Sequence, residues 1–192
     1  MSFLDRIAAA VTPAASDEQR AEARRNVERL AAGEPWLRAV VDQHKQIEAA
    51  FNEARQASGP GAVRAVEQLS TLLTGHATAE EAVLYPDVAE FSGKTHAGMA
   101  YEEHAMTKIQ LAKLKQLDPG SEEWREKLEH IEGAVQQHVY QEESEWLPDL
   151  VDNLPRERKA FLTQQYEQEY SRYMGDGETT MRMEPAAGGY RV

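Results

Sequence analysis

His76-Ala77-Thr78-Ala79-Glu80-Glu81 and its echo, His138-Val139-Tyr140-Gln141-Glu142-Glu143, decide how this chain is read. Each run reaches a Pro-Asp pair after the same gap, at Pro86-Asp87 and Pro148-Asp149, so the template His-x3-Glu-Glu-x4-Pro-Asp occurs twice. On a helix, residues four apart lie about 6 Å apart along the axis and about 40° apart around it. Each template therefore offers one imidazole and one carboxylate to a common point. Glu80 and Glu142 face their histidines, whereas a regular helix would turn Glu81 and Glu143 about 140° away. Apolar spacing puts His76 in line with Leu69, Leu72 and Leu73, and His138 in line with Ile131 and Val135. A polar side chain on such a buried stripe must be paired or bind something.

Working outward from the templates, strand signals are nearly absent and helical periodicity dominates, so the fold class expected is all-α. Asp17 is a candidate cap for a first helix that Gly33 ends. Long helical segments then run from Trp36 to about Ala57, from Ala62 to a kink or end at Pro86, from Thr95 to Leu117, and from Ser121 through Trp146. Ser58-Gly59-Pro60-Gly61, Ser92-Gly93 and Asp118-Pro119-Gly120 break the chain between them. Short turns between four long helices predict an up-down-up-down four-helix bundle with additional N- and C-terminal helices. The divisions expected are an N-terminal extension with a helix over 1–33, the bundle over 34–153, a C-terminal helix over 154–174 and a tail over 175–192. That tail is rich in Gly, Thr, Pro and Ala and is expected to be disordered.

One hairpin carries His44 and the first template, the other His104 and the second. The histidines are 32 residues apart in the first hairpin (44 to 76) and 34 in the second (104 to 138). Each hairpin thus returns its second histidine to about the level of its first, as a site between four helices requires. His96 and His130 each precede a candidate histidine by eight residues, about 12 Å along the axis, and are expected at the surface.

Composition narrows the chemistry. The 192 residues suit one domain and carry a formal charge of −12, which argues against nucleic acid and anionic membrane surfaces as partners. The absence of cysteine excludes disulfides, thiolate metal sites, iron–sulfur clusters and cysteine nucleophiles. No apolar run is long enough to span a membrane. Phe3, Leu4, Ile7 and Val11 form a short amphipathic segment that lacks the features of a signal peptide, so a cytoplasmic location is expected.

Four imidazoles and two carboxylates suit iron, zinc or manganese better than calcium or magnesium. Six ligands are too many for one tetrahedral zinc, whereas two glutamates in mid-bundle can each bridge two ions. That arrangement points to iron, with zinc or manganese ranked behind it. The Glu-x-x-His motif of ferritin-like di-iron bundles is absent: the residues three before the histidines are Val41, Leu73, Gly93, Tyr101, Lys127 and Val135.

The pattern His44, His76-x3-Glu80, His104, His138-x3-Glu142 resembles the hemerythrin-like, or HHE cation-binding, domain over about residues 35–152. The resemblance implies a four-helix bundle around two non-haem iron ions bridged by carboxylate and by oxo or hydroxo groups. Glu80 and Glu142 would bridge, and His44, His76, His104 and His138 would be terminal ligands. Oxygen-carrying members have a further histidine four residues after the third-helix ligand, where this chain has Lys108. The fourth-helix acid here is Glu142, at the fourth place after His138, rather than an Asp at the fifth. A missing protein ligand favours reaction with oxygen or peroxide over reversible carriage. The expected function is peroxide or oxygen chemistry of a catalase-like or peroxidase-like kind. The alternative is a module that senses iron, oxygen or nitric oxide and signals to a protein partner through its terminal helices. Glu48 and Lys108, each one turn beyond a histidine, either pair across the bundle beside the metals, with Glu48 as an alternative ligand, or lie at the surface, as these residue types commonly do. Tyr101, three residues before His104, could bond to or ligate an open position, though packing is the plainer expectation.

Overall fold

The computed structural model describes residues 14–175. The amphipathic segment and the tail beyond Gly175 lie outside them. Within the described residues the chain is all-α. Its helices are α1 (Asp17–Ala31), α2 (Pro35–Gln56), α3 (Pro60–Val83), α4 (Tyr85–Phe91), α5 (Lys94–Leu114), α6 (Glu122–Gln141), α7 (Leu147–Asn153) and α8 (Arg156–Met174). A π-helical turn, Glu142–Trp146, joins α6 to α7. The four long helices α2, α3, α5 and α6 form the bundle; α1 lies against α2 and the π turn, and α8 against α3 and α2.

Local chemistry sets the helix ends. Ser16, rather than Asp17, caps α1: its hydroxyl accepts from the Gln19 amide while the Gln19 side chain accepts from the Ser16 backbone N–H. Asp17 instead sits in the first turn, where its charge favours the helix N-terminus. Pro35 and Pro60 open α2 and α3, where a missing N–H costs nothing. Gly59, at φ 52°, supplies the left-handed backbone that turns α2 into α3. Each template's proline then breaks its helix in its own way. Pro86 follows a break at Leu84 that separates α3 from α4, whereas Pro148 follows the π turn. Both prolines lack an N–H and would clash with the carbonyl four residues back in an unbroken helix.

The buried side chains form two apolar clusters with a polar layer between them. The first includes Trp36, Val40, Val83, Tyr85, Trp146, Leu162 and Tyr166. The second includes Ile47, Phe51, Leu69, Leu111, Leu128 and Val135. Along α2, α3 and α5 the passage from one cluster to the other happens at His44, His76 or His104; on α6 the second cluster ends at Val139, beside His138, and the first resumes beyond it at Trp146. Helix α8 is anchored to the first cluster by Leu162 and Tyr166, both fully buried. Arg158 adds a bond from its Nε shared between both Asp87 oxygens, and one from a terminal nitrogen to the Val83 carbonyl.

This anchoring predicts an asymmetry between neighbouring residues. Leu162→Ala should cost about 2–5 kcal/mol in denaturant unfolding, because the cavity it leaves is enclosed. Phe161→Ala, at a position 60 % exposed, should stay within about 0.5 kcal/mol of wild type.

Candidate metal centre

The six candidate ligands meet in the polar layer, and all are at least nine-tenths buried. Two sets of ligand atoms, each within 4.8 Å of one another, emerge: His44, His76, Glu80 and Glu142 in one, and Glu80, His104 and His138 in the other. Glu80 belongs to both: one oxygen is 3.2 Å from His76 Nε2, and the same oxygen is 3.5 Å from His104 Nε2. Glu142 also reaches both sides, 3.1 Å from His44 Nε2 and 3.5 Å from His138 Nε2. The rings are close, with centroids 4.9 Å apart for His44–His76 and 4.7 Å for His104–His138.

These residues fit a cation by their own unmet chemistry. His44 Nε2, His76 Nε2, Glu80 Oε1 and Glu142 Oε2 are buried and have no hydrogen-bond partner. Leaving such atoms unpaired is costly, and four of them facing one point is what a cation relieves. The charges are also divided against themselves. Burial, and then the charge on Glu142, push the Glu80 carboxyl well up. Burial likewise works to raise Glu142, but the charge of His138, 3.5 Å away, and the closeness of His44 at 3.1 Å hold it well below the usual carboxylate range. Burial tends to lower His44, yet the Glu142 and Glu143 carboxylates, 3.1 and 2.8 Å from its two nitrogens, outweigh this and raise it to about 9. In His138 burial is outweighed by the Glu142 charge and the Glu103 bond, giving about 10. Burial and the neighbouring His44 keep His76 well below its ordinary value.

Each histidine's outer nitrogen is also held. His44 Nδ1 bonds to Glu143 at 2.8 Å, His76 Nδ1 to Gln43 at 2.9 Å, His104 Nδ1 to Glu81 at 3.1 Å and His138 Nδ1 to Glu103 at 2.7 Å. The pattern repeats between hairpins. The residue before the first histidine of each hairpin (Gln43, Glu103) holds that hairpin's second histidine. The second glutamate of each template (Glu81, Glu143) holds the first histidine of the other hairpin. Such partners fix the tautomer and the ring orientation of a ligating imidazole.

This corrects two expectations. Glu81 and Glu143 do turn from their own histidines, but they turn onto those of the neighbouring helices, which the geometry of a single helix cannot show. Glu48 and Lys108 do not pair with each other. Glu48 bonds to Arg24 of α1 at 2.7 Å, and Lys108 bonds to Glu81 at 3.0 Å. A nearer opposite charge satisfies each, so Glu48 is turned from the centre. Tyr101 is 41 % exposed; its hydroxyl donates to the Glu81 backbone carbonyl, and its ring packs edge-on against Tyr85. His96 stands apart from the centre, bonded to Ser92 and stacked on Trp146.

Tyr85 is the functional candidate that sequence reasoning missed. Its hydroxyl lies 3.0 Å from His104 Nε2, 3.0 Å from Glu142 Oε1 and 3.3 Å from His138 Nε2. On an unbroken helix Tyr85 would point about 180° from His76; the break at Leu84 brings it inward. The signal available was the mismatch between templates, Tyr85 against Leu147 just before the proline. Burial, with the charges of Glu142 and Glu80, raises its phenol well above the usual value, so a cation would be needed to ionise it.

A model of the hemerythrin HHE cation-binding domain matches residues 37–150. The chain is 32% identical over 116 residues to a DNA nickase from Nostoc sp. (strain PCC 7120), an overlap covering 60% of this chain and 33% of that protein. It is 23% identical over 133 residues to an uncharacterized hemerythrin-like protein from Schizosaccharomyces pombe, covering 67% and 66% respectively. The chain thus spans about a third of the first relative's length and about two thirds of the second's. No solved structure matches it. The helical bundle, the His and Glu cluster at its middle and the match over residues 37–150 agree, and the chain belongs to the hemerythrin HHE cation-binding family.

Proposed function

We propose that the chain holds two non-haem iron ions in the polar layer and reacts with peroxide or dioxygen rather than carrying oxygen reversibly. His44 and His76 would hold one ion, His104 and His138 the other, with Glu80 and Glu142 shared between them. The observation that carries the reading is Tyr85, whose hydroxyl sits among His104, His138 and Glu142 where the second ion would lie. An anionic phenolate is a hard oxygen donor and favours ferric over ferrous iron. That works against reversible oxygen binding, which begins from the reduced pair. Iron would supply the redox capacity to exchange the two electrons by which one peroxide becomes water and another becomes dioxygen. The protein's own part is to orient the imidazoles through Glu143, Gln43, Glu81 and Glu103, and to screen the centre from bulk water. Lys108 serves by fixing Glu81, and through it His104.

Substrate size supports the same reading. A cavity of about 20 Å³ adjoins the centre, lined by His76, His104 and His138 together with Leu73, Ala77 and Leu111. One water needs about 10–15 Å³, so the space suits a molecule the size of peroxide, dioxygen or nitric oxide. The likeness to a DNA nickase covers a third of that protein, and a charge of −12 opposes binding to DNA, so no DNA-directed role is proposed. Among the described residues no helix is long and apolar enough to cross a membrane, and a cytoplasmic site of action fits the absence of cysteine. A sensing role is the second reading; it is favoured by the bond from Tyr166 of α8 to Gln43, which ties a terminal helix to the centre.

Iron-loaded protein should contain two irons per chain and release dioxygen from peroxide, and His76→Ala should abolish the release. Turnover absent from a chain that holds both irons would refute the peroxide reading. Protease protection of α8 that changes with oxidation state would then favour sensing. Tyr85→Phe should keep its fold but lose a phenolate-to-iron band in the visible spectrum; an unchanged spectrum would remove Tyr85 from the ligand set.

A further inference from the structure

The outer partners of the four histidines are not equivalent. Those of His104 and His138, the carboxylates of Glu81 and Glu103, lie within the span of the family's domain and are 28% and 36% exposed. Those of His44 and His76 are sealed, with Glu143 2 % and Gln43 8 % exposed, and each is itself gripped from outside that span. Arg24 of α1 places its Nε 2.8 Å from both oxygens of Glu143. Tyr166 of α8, fully buried, donates its hydroxyl to Gln43 Oε1 at 2.7 Å and lies 3.2 Å from His76 Nδ1. Two helices that flank the domain on either side in sequence thus converge on the two histidines of the same half-site.

Each grip has a specific physical task. An imidazole that ligates through Nε2 carries its proton on Nδ1 and donates it to its outer partner. Glu143 can be that partner for His44 only while its buried charge is compensated, and Arg24 is the cation that does so. Gln43 can be that partner for His76 only while its amide oxygen, and not its nitrogen, faces the ring. The Tyr166 hydroxyl donates to that oxygen and so favours the orientation in which it faces the ring. Without it the amide is free to turn and present a donor to a donor. Glu81 and Glu103 stand open to solvent, which can take over a lost partner's role there more readily than at the buried Glu143 and Gln43.

Resting on the two-ion reading of the site, we infer that Arg24 and Tyr166 are positioning residues for the ion held by His44 and His76, and that the flanking helices α1 and α8 retain that ion selectively. The domain alone would hold its two ions unequally, and the terminal helices correct the difference at one of them.

The test is loss of iron from the loaded full-length chain into a ferric chelator, followed as irons per chain, with the Tyr85 phenolate band reporting on the other half-site. Wild type should release both irons slowly. Tyr166→Phe and Arg24→Gln should each release one iron about tenfold or more faster while keeping the second iron and the Tyr85 band. Glu103→Gln, at a partner open to solvent and with an amide oxygen that still accepts from His138, should change the release of neither iron appreciably. Melting curves of the metal-free variants separate this from unfolding, because a loosened bundle would release both irons together. Parallel loss of both irons from Tyr166→Phe and Arg24→Gln, or loss no faster than wild type, overturns the inference and leaves the two-ion reading intact. A wild-type chain that binds fewer than two irons overturns both.

Discussion

Everything in this structure answers to one constraint: four imidazoles and two carboxylates share a layer from which water is excluded. Removing a charge from water is expensive unless a partner replaces the lost solvation, and here the partners are mostly one another. The cluster cannot satisfy itself. Glu142 is held as a carboxylate and Glu80 is pushed towards its neutral form, while four ligand atoms face inward with nothing to bond to. A multiply charged cation resolves all of these at once, so in a protein of this design metal binding and folding stability are one quantity. The apolar clusters on either side follow from the same demand, since they exclude water from the layer and hold the four helices at a common level.

The outer nitrogens carry the second half of the design. Because Gln43 and Glu103 serve their own hairpins while Glu81 and Glu143 cross to the opposite one, every imidazole is fixed from a neighbouring helix rather than its own. Such cross-bracing makes the ligand geometry a property of the assembled bundle. It also gives Lys108 a role that differs from that of a ligand: it neutralises Glu81 and so settles His104 at one remove. Tyr85 then makes the two halves chemically different, one with imidazole and carboxylate alone, the other with a phenol added.

How much of this was legible in the sequence depended on how local its cause was. The bundle, its two hairpins and the six central residues follow from periodicity and from the doubled template, because spacing along one helix determines what shares a face. The cap of α1 was misplaced by one residue because Ser16 and Asp17 are both good caps, and only the reciprocal bond to Gln19 decides between them. The errors at the site share one physical origin. Glu81 and Glu143 were set aside by an angle calculated on a single helix, although their partners lie on other helices. Spacing alone allows Glu48 to meet Lys108, because nothing local to either residue places their observed partners, Arg24 and Glu81. Tyr85 was hidden by a backbone break that a proline announces but does not orient. Arg24 and Tyr166 lie on helices whose docking no short motif encodes.

The grip of α1 and α8 on the centre has a consequence for the order in which the molecule can be completed. His44 meets its outer partner across 99 residues of chain, Arg24 reaches Glu143 across 119, and Tyr166 reaches Gln43 across 123. Contacts so remote in sequence form late, since the loop-closure entropy must be met before they return any stabilisation. The four bundle helices can bring their histidines level before either end of the chain has docked. One side of the layer therefore stays accessible until last, and the same two helices cover it once the chain is whole.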